Sequence, residues 1–139
     1  MMELYYPVLE GKKKKWLFEN GYIAAKSGHT RGSTADLSII ELAKSVKEVE
    51  VSKRVIEDGS IIPFLDDGTV DMGSSFDLFH TFSNHDSPLL TNKEHIKNRE
   101  ILRQAMKRHG FRETPEEWWH YTLIDEPYPT TYFDFVVTI

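Results

Sequence analysis

The chain reads as an α+β protein, a mainly antiparallel sheet packed with helices, and three features of the sequence predict it. One stretch, SPLLTNKEHIKNREILRQAMKRHGF, carries clear helical periodicity, with Ile96, Leu102, Ala105, Met106 and His109 recurring at helical spacing. Two late segments, WWHYTLI and TYFDFVVTI, are rich in aromatic and β-branched residues, as half-buried strands are. A short apolar run from Ile61 to Leu65 is closed by DDG, a good turn signal. Strand-like segments around one clear helix make an α+β arrangement.

Taken in order, the opening MMELYYPVLEGKKKKWLFENGYIA reads as irregular chain, held down by Tyr5, Tyr6, Trp16, Leu17 and Phe18. Lys12 to Lys15 within it read as a solvated loop. From Ala35 to Val51 the text is mixed: TADLSII reads as a strand, while ELAKSVKEVEVSKRVIEDG fits either a strand pair or a short helix, and periodicity does not decide. The acids Asp66 and Asp67 read as turn residues. For the long helix, Thr91 and Glu94 have the spacing of a capping box. Gly110 stops the helix after Lys107, Arg108 and His109 have placed basic character beside its terminal carbonyls. In TYFDFVVTI, Phe133, Phe135 and Val137 alternate onto one side, and at least one of Trp118 and Trp119 is expected to face the core.

At 139 residues the chain fits one domain with a real core. Its composition, 40% hydrophobic and 28% charged, argues against wholesale disorder. A net charge of −5 gives no field that attracts nucleic acid or anionic lipid, so neither is an expected partner. The absence of cysteine removes disulfides, thiolate nucleophiles and sulfur-built metal sites. Any metal must therefore be held by His, Asp or Glu. No apolar run approaches the roughly 20 residues of a membrane span and no secretory signal is visible, so membrane insertion is not expected. The corresponding expectation is a cytoplasmic protein, or a periplasmic one if a segment precedes this chain.

Two stretches hold the chemistry. SGHTRGSTADL sets His29 and Asp36 around a run of glycine and small hydroxyl residues, and EEWWH sets Glu117 ahead of His120. Two imidazoles and a carboxylate are normal ligands of Zn²⁺ and leave a fourth position for water. In an uninterrupted strand His29 and Asp36 would lie roughly 20 Å or more apart and on opposite faces. Gly28 and Gly32 permit a reversal between them, with Ser27, Thr30, Ser33 and Thr34 available to satisfy the backbone. Glu117, three residues before His120, would point away from it on a regular strand but could converge with it at a turn. Spacing alone leaves alternatives open. His29 fits a surface or capping histidine as well as a ligand, Asp36 a turn acid, His120 a satisfied core histidine, Glu117 a linker residue and Asp77 a structural acid. Arg31 is either a buried charge partner or a solvent-facing side chain. His80, His85 and His95 have no coherent spacing with this set and read as surface or local structural residues.

Together, SGHTRGSTADL and EEWWHYTL resemble the zinc D-alanyl-D-alanine dipeptidases, the VanX-like members of the D-Ala-D-Ala metallopeptidase and hedgehog-like fold group. DMGSSFDLF, NREILRQAMKRHGF and EPYPTTYFDF match in the same order, so the resemblance covers the chain from about Tyr5. It implies that residues 1–139 form a single zinc dipeptidase-like catalytic domain, a C-terminal portion of the usual one. It implies Zn²⁺ on His29, Asp36 and His120, with Glu117 as general base for metal-activated water. It further implies substrate contacts from Ser27 and Asp77, Asp77 receiving the substrate's ammonium group. The substrate implied is D-Ala-D-Ala or a related small peptide.

The sequence departs from the family in one respect. Family members carry an upstream YRP-type segment whose arginine contacts the reacting carbonyl, and this chain is expected to start after that region. YYP at Tyr5 to Pro7 aligns with a later segment, and Arg31 belongs to the zinc motif. Losing an oxyanion donor costs about 10²-fold or more in rate. The two readings carried forward are a zinc dipeptidase, N-terminally incomplete and impaired to that extent, and a non-catalytic zinc-stabilised module that binds a peptide or cell-wall fragment.

Overall fold

A computed structural model of the protein describes residues 14–19, 24, 26–134 and 136. Its elements are a short helix α1 (Lys14–Glu19), strands β1 (Thr34–Asp36), β2 (Glu50–Val55) and β3 (Ile61–Asp66), helix α2 (Lys93–Arg108), and strands β4 (Phe111–Thr114) and β5 (Glu117–Leu123). One-turn 3-10 segments lie at His29–Arg31 and Thr81–Ser83. Strands β1, β5 and β4 form a three-stranded sheet in that order, antiparallel throughout. Strands β2 and β3 form a separate antiparallel hairpin. The α+β class with antiparallel pairing holds.

Helix α2 packs its inner face on the three-stranded sheet. Leu102 is buried and Met106 packs behind it, against Trp118, Trp119 and Tyr121. Both tryptophans are buried, their rings crossing edge to face at 5.4 Å, and Trp118 Nε1 donates to Ser74 Oγ at 3.0 Å. A second cluster, including Ile56, Ile62, Leu65, Leu78, Phe82 and Leu90, underlies the hairpin.

Arg99 links these regions from within. It is 3% exposed, and its guanidinium donates to the carbonyls of Met72, Asn84 and Phe82 at 2.7, 2.8 and 3.0 Å. Burial pulls its pKa down to about 9, and carbonyl acceptors are what make a buried cation tolerable here. The helix thereby holds the 72–84 segment, which carries Asp77. Arg54 ties the hairpin to the start of the same segment, with a two-pronged grip on Asp71 at 2.8 and 2.7 Å.

Several expectations need correction. Helix α2 is capped by Asn92, whose side chain accepts from Glu94 N at 2.9 Å, and not by a box between Thr91 and Glu94. Thr91 instead donates through its hydroxyl to Glu57 at 2.8 Å. Ile96, Ala105 and His109 are exposed, and Arg99 occupies the inner face the apolar count missed. Gly110 does end the helix, in the left-handed region at φ 81°. The opening segment contains α1, where helix formers such as Lys and Leu outvote the irregular reading. Leu17 is buried and Phe18 exposed, whereas Tyr5, Tyr6, Lys12, Lys13 and the side chains of residues 14–16 lie outside the described residues.

The strand expected from TADLSII is only Thr34–Asp36, although Leu37 N still donates to Trp119 O at 3.1 Å. Of the next stretch, residues 50–55 form the first strand of a pair and no helix is present. Tyr132 to Asp134 are not a strand; Phe135 and Val137 lie outside the described residues. Pro127 and Pro129 lack the N–H groups a ladder needs, and the chain turns back so that Phe133 N donates to Thr30 O at 2.8 Å. Asp66 and Asp67 cap their turn as expected, accepting from Gly68 N and Thr69 N. His80 accepts from Phe82 N, His95 lies against Asp71, and His85 is buried, all three in local structural roles.

Candidate metal centre

Strand register supplies half of the site. Asp36 and His120 are directly paired across β1 and β5, and opposed residues of an antiparallel pair share a face. His120 Nδ1 lies 3.0 Å from Asp36 Oδ1. The chain before β1 supplies the third member. His29 opens the 3-10 turn, whose N–H groups close on it: Arg31 N donates to Gly28 O and Gly32 N to His29 O, both at 3.0 Å. Gly32 leaves that turn at φ 78°, a conformation that costs a residue with a Cβ about 1–2 kcal/mol. Gly28 is required by space, since a Cβ there would sit 2.6 Å from Thr34 Oγ1. The turn brings His29 Nε2 to 3.4 Å from Asp36 Oδ2 and stacks the two imidazoles edge to face at 4.8 Å.

Glu117 joins them by an irregularity. On a regular strand it would face away from His120, but pairing between β4 and β5 shifts register between Glu113 and Thr114. The distortion turns Glu117 onto the site side, with Oε2 at 3.3 Å from His120 Nδ1. Convergence occurs at the distorted start of the strand, where a turn had been the expected route.

A cleft of about 400 Å³ opens over this group, lined by Ser27, His29, Asp36, Asp77, Glu117 and His120 among others. Ser27 Oγ accepts from His29 N at 3.2 Å, holding the turn from the cleft side. Asp77 is partly buried and held at φ 57°, unusual for a residue with a side chain. An adjoining cleft of about 490 Å³, which sequence reasoning did not foresee, shares Asp36 and Asp77 and is walled by Leu37, Ile39, Ile40, Val46 and Phe76. Most of its apolar wall comes from the irregular 37–49 segment, so no periodicity announced it.

The electrostatics follow from crowding of carboxylates in a half-dry place. Burial pushes the Glu117 carboxyl up to about 7; His120 opposes the rise, while Asp36 and Asp77 add to it. Burial also raises Asp77, reinforced by the Asp36 charge. For His120 burial acts downward, but the Asp36 hydrogen bond and the Glu117 charge outweigh it and the net shift is up. Concentrated negative charge between two imidazoles is a setting that a divalent cation relieves.

The donor set fits such an ion. Atoms bound about 2 Å from one tetrahedral metal lie roughly 3.3 Å apart, and the Asp36 contacts to both histidines are at that spacing. The ligand atoms of His29, Asp36 and His120 all fall within 4.8 Å of one another, a group that could hold a metal ion. Two imidazoles and a carboxylate are donors suited to zinc and to other first-row divalent metals alike.

Behind the ligands, on the side away from the cleft, lies a group the sequence did not reveal. Glu126 accepts from Arg31 Nε and Nη2 at 2.6 and 2.9 Å and from Ser33 Oγ at 2.7 Å. Arg31 is therefore the charge partner of its two readings. Only the acidic residue just beyond a predicted strand hinted at it, and nothing in the text linked Glu126 to a turn more than ninety residues earlier.

Comparison with known proteins adds the following. A family profile described as D-ala-D-ala dipeptidase matches residues 61–138. A D-alanyl-D-alanine dipeptidase of Enterococcus faecalis is 39% identical over 136 residues, 98% of this chain and 54% of the relative. One of Enterococcus faecium is 36% identical over 97% of this chain and 54% of its own length. A third, of Streptomyces coelicolor, is 37% identical over 87% of this chain and 48% of its own. The chain spans about half the length of the curated relatives it matches.

Proposed function

The chain belongs to the D-ala-D-ala dipeptidase family, and from that premise we propose that it hydrolyses the D-alanyl-D-alanine dipeptide, or a related small peptide, with zinc as its metal. The fold then is that of the D-Ala-D-Ala metallopeptidase and hedgehog-like group. The observation that carries the proposal is the convergence of His29, Asp36 and His120 on one point with Glu117 beside them. In this reading the three side chains hold the ion, which supplies Lewis acidity and a water of lowered pKa.

The protein's own residues do the rest. Glu117 accepts the proton of the attacking water and passes it to the nitrogen of the departing amino acid; a carboxylate facing the cleft beside the ligand set is placed to do both. Asp77, lining the same cleft, receives the substrate's ammonium group, the other two carboxylates of the lining, Asp36 and Glu117, being taken up as ligand and base. Ser27 orients substrate through the part of its hydroxyl not engaged by His29 N.

Metal content and D-Ala-D-Ala turnover, measured together on the purified chain, test the proposal. Glu117→Gln is expected to keep the metal and lose about 10²- to 10⁴-fold in rate; undiminished turnover rejects Glu117 as the base. A second reading has its own support. The described residues lining the cleft include no arginine or lysine to share the developing oxyanion charge. A non-catalytic zinc-stabilised module would bind the dipeptide saturably without cleaving it. Calorimetric titration with D-Ala-D-Ala separates the two readings, and absence of both binding and cleavage removes both.

A further inference from the structure

The turn that carries His29 has little to hold it in place. It lies outside the sheet, β1 after it is only three residues long, and the imidazole of His29 is 39% exposed. A metal site gains affinity when its ligands are already arranged before binding. What fixes the turn relative to the strand that carries His120 is therefore decisive.

We infer that Glu126 is a positioning residue of the metal centre, clamping the turn between the first two ligands onto the chain that leaves the third ligand's strand; this rests on the metal-binding reading above. Its contacts bracket the turn. Arg31, two residues after His29, donates to both carboxylate oxygens, and Ser33, three residues before Asp36, donates to one of them. Arg112 of β4 approaches from outside at 3.5 Å. The side chains of Arg31 and Glu126 are only 15% and 8% exposed, so water competes poorly for the pair. Backbone bonds run alongside, from Leu123 N to Ser33 O at 2.9 Å and from Phe133 N to Thr30 O at 2.8 Å. Tyr132 lies over the Arg31 guanidinium, 5.7 Å to the ring centre. Arg31 and Ser33 together hold the Glu126 carboxyl down to about 2, so the clamp is charged at neutral pH. Glu126 touches neither the cleft nor a ligand atom; its effect is transmitted through the Gly28–Ser33 backbone.

The test is zinc affinity, by competition with a chromogenic chelator, for the full chain and for Glu126→Gln, which keeps the shape and removes the charge. Partners bonded directly to a ligand cost about 10- to 100-fold in metal affinity when altered; Glu126 acts one step further out, through the turn, and a loss of about tenfold, the low end of that range, is expected here. Glu113→Gln is the control. It breaks a comparable cluster, Glu113 with Arg103 and Lys107, which does not touch the ligand turn. It is expected to lower the melting temperature of the metal-free protein while changing zinc affinity less than about twofold. Zinc affinity of Glu126→Gln equal to that of the parent overturns the inference and leaves the metal reading standing; a parent chain that binds no zinc overturns both. Should Glu126→Gln not fold, Ser33→Ala, which removes one hydrogen bond, carries the test. Its expected loss in affinity is about fivefold, and an unchanged value overturns the clamp.

Discussion

Glu117 and Asp36 are both carboxylates beside His120, and their surroundings divide the work between them. Asp36 presents one oxygen to each histidine, whereas Glu117 is only 6% exposed and approaches His120 alone. Asp36→Ala is accordingly expected to abolish metal retention, in contrast to Glu117→Gln; equal zinc content in Asp36→Ala and the parent would remove Asp36 from the ligand set. A buried histidine away from the site acts on stability instead. His85 is buried, with its Nε2 unpartnered, and burial lowers its pKa from 6.5 to about 4. Between those values the unfolded chain binds more protons than the folded one. The contribution of neutral His85 is full above about pH 6.5 and falls as pH drops towards 4, by up to about 3 kcal/mol. Urea unfolding of the parent and of His85→Gln across that range should show the parent losing more stability towards acid; parallel curves would contradict this. The candidate ligand set was legible through the paired motifs SGHTRGSTADL and EEWWH and the family they resemble, whereas spacing and two glycines left each residue open; the structure brings the three side chains together. Glu126 was not, since an acid near two prolines reads as an ordinary loop residue and only the fold brings it to Arg31.

Elements were legible where periodicity was strong and local. Helix α2 was predicted as a helix with the correct glycine stop, but its cap is one residue later because Thr91 and Asn92 are both capping types and tertiary contact with Glu57 claimed the first. Its inner face was incompletely read for a related reason: an apolar periodicity does not register a charged residue, and Arg99 lies there with three carbonyls receiving it. Aromatic and β-branched content marked the last segment for burial against something, and that content cannot distinguish a strand from a strap laid over a turn. Arg99 also yields a prediction about the segment bearing Asp77. Arg99→Met should cost about 3 kcal/mol or more, because it leaves buried carbonyls without donors. Amide exchange in residues 72–84 should accelerate more than in β5. Uniform acceleration would mean that Arg99 supports the fold in general and not that segment.

The molecule as a whole assembles the site from separate parts of the fold: the sheet sets Asp36 against His120, the turn adds His29, and helix α2 holds the wall that carries Asp77. Metal binding should therefore couple to folding. Saturating zinc at 100 times its dissociation constant adds about 2.7 kcal/mol, a rise of roughly 9 °C in melting temperature for a chain of this length that a chelator should reverse. The account stands most directly on the metal content of the purified 139-residue chain, measured by elemental analysis beside its His120→Ala variant. One zinc per parent chain and none in the variant is the predicted result; a parent without bound metal, or a variant that retains the parent's full content, would contradict it.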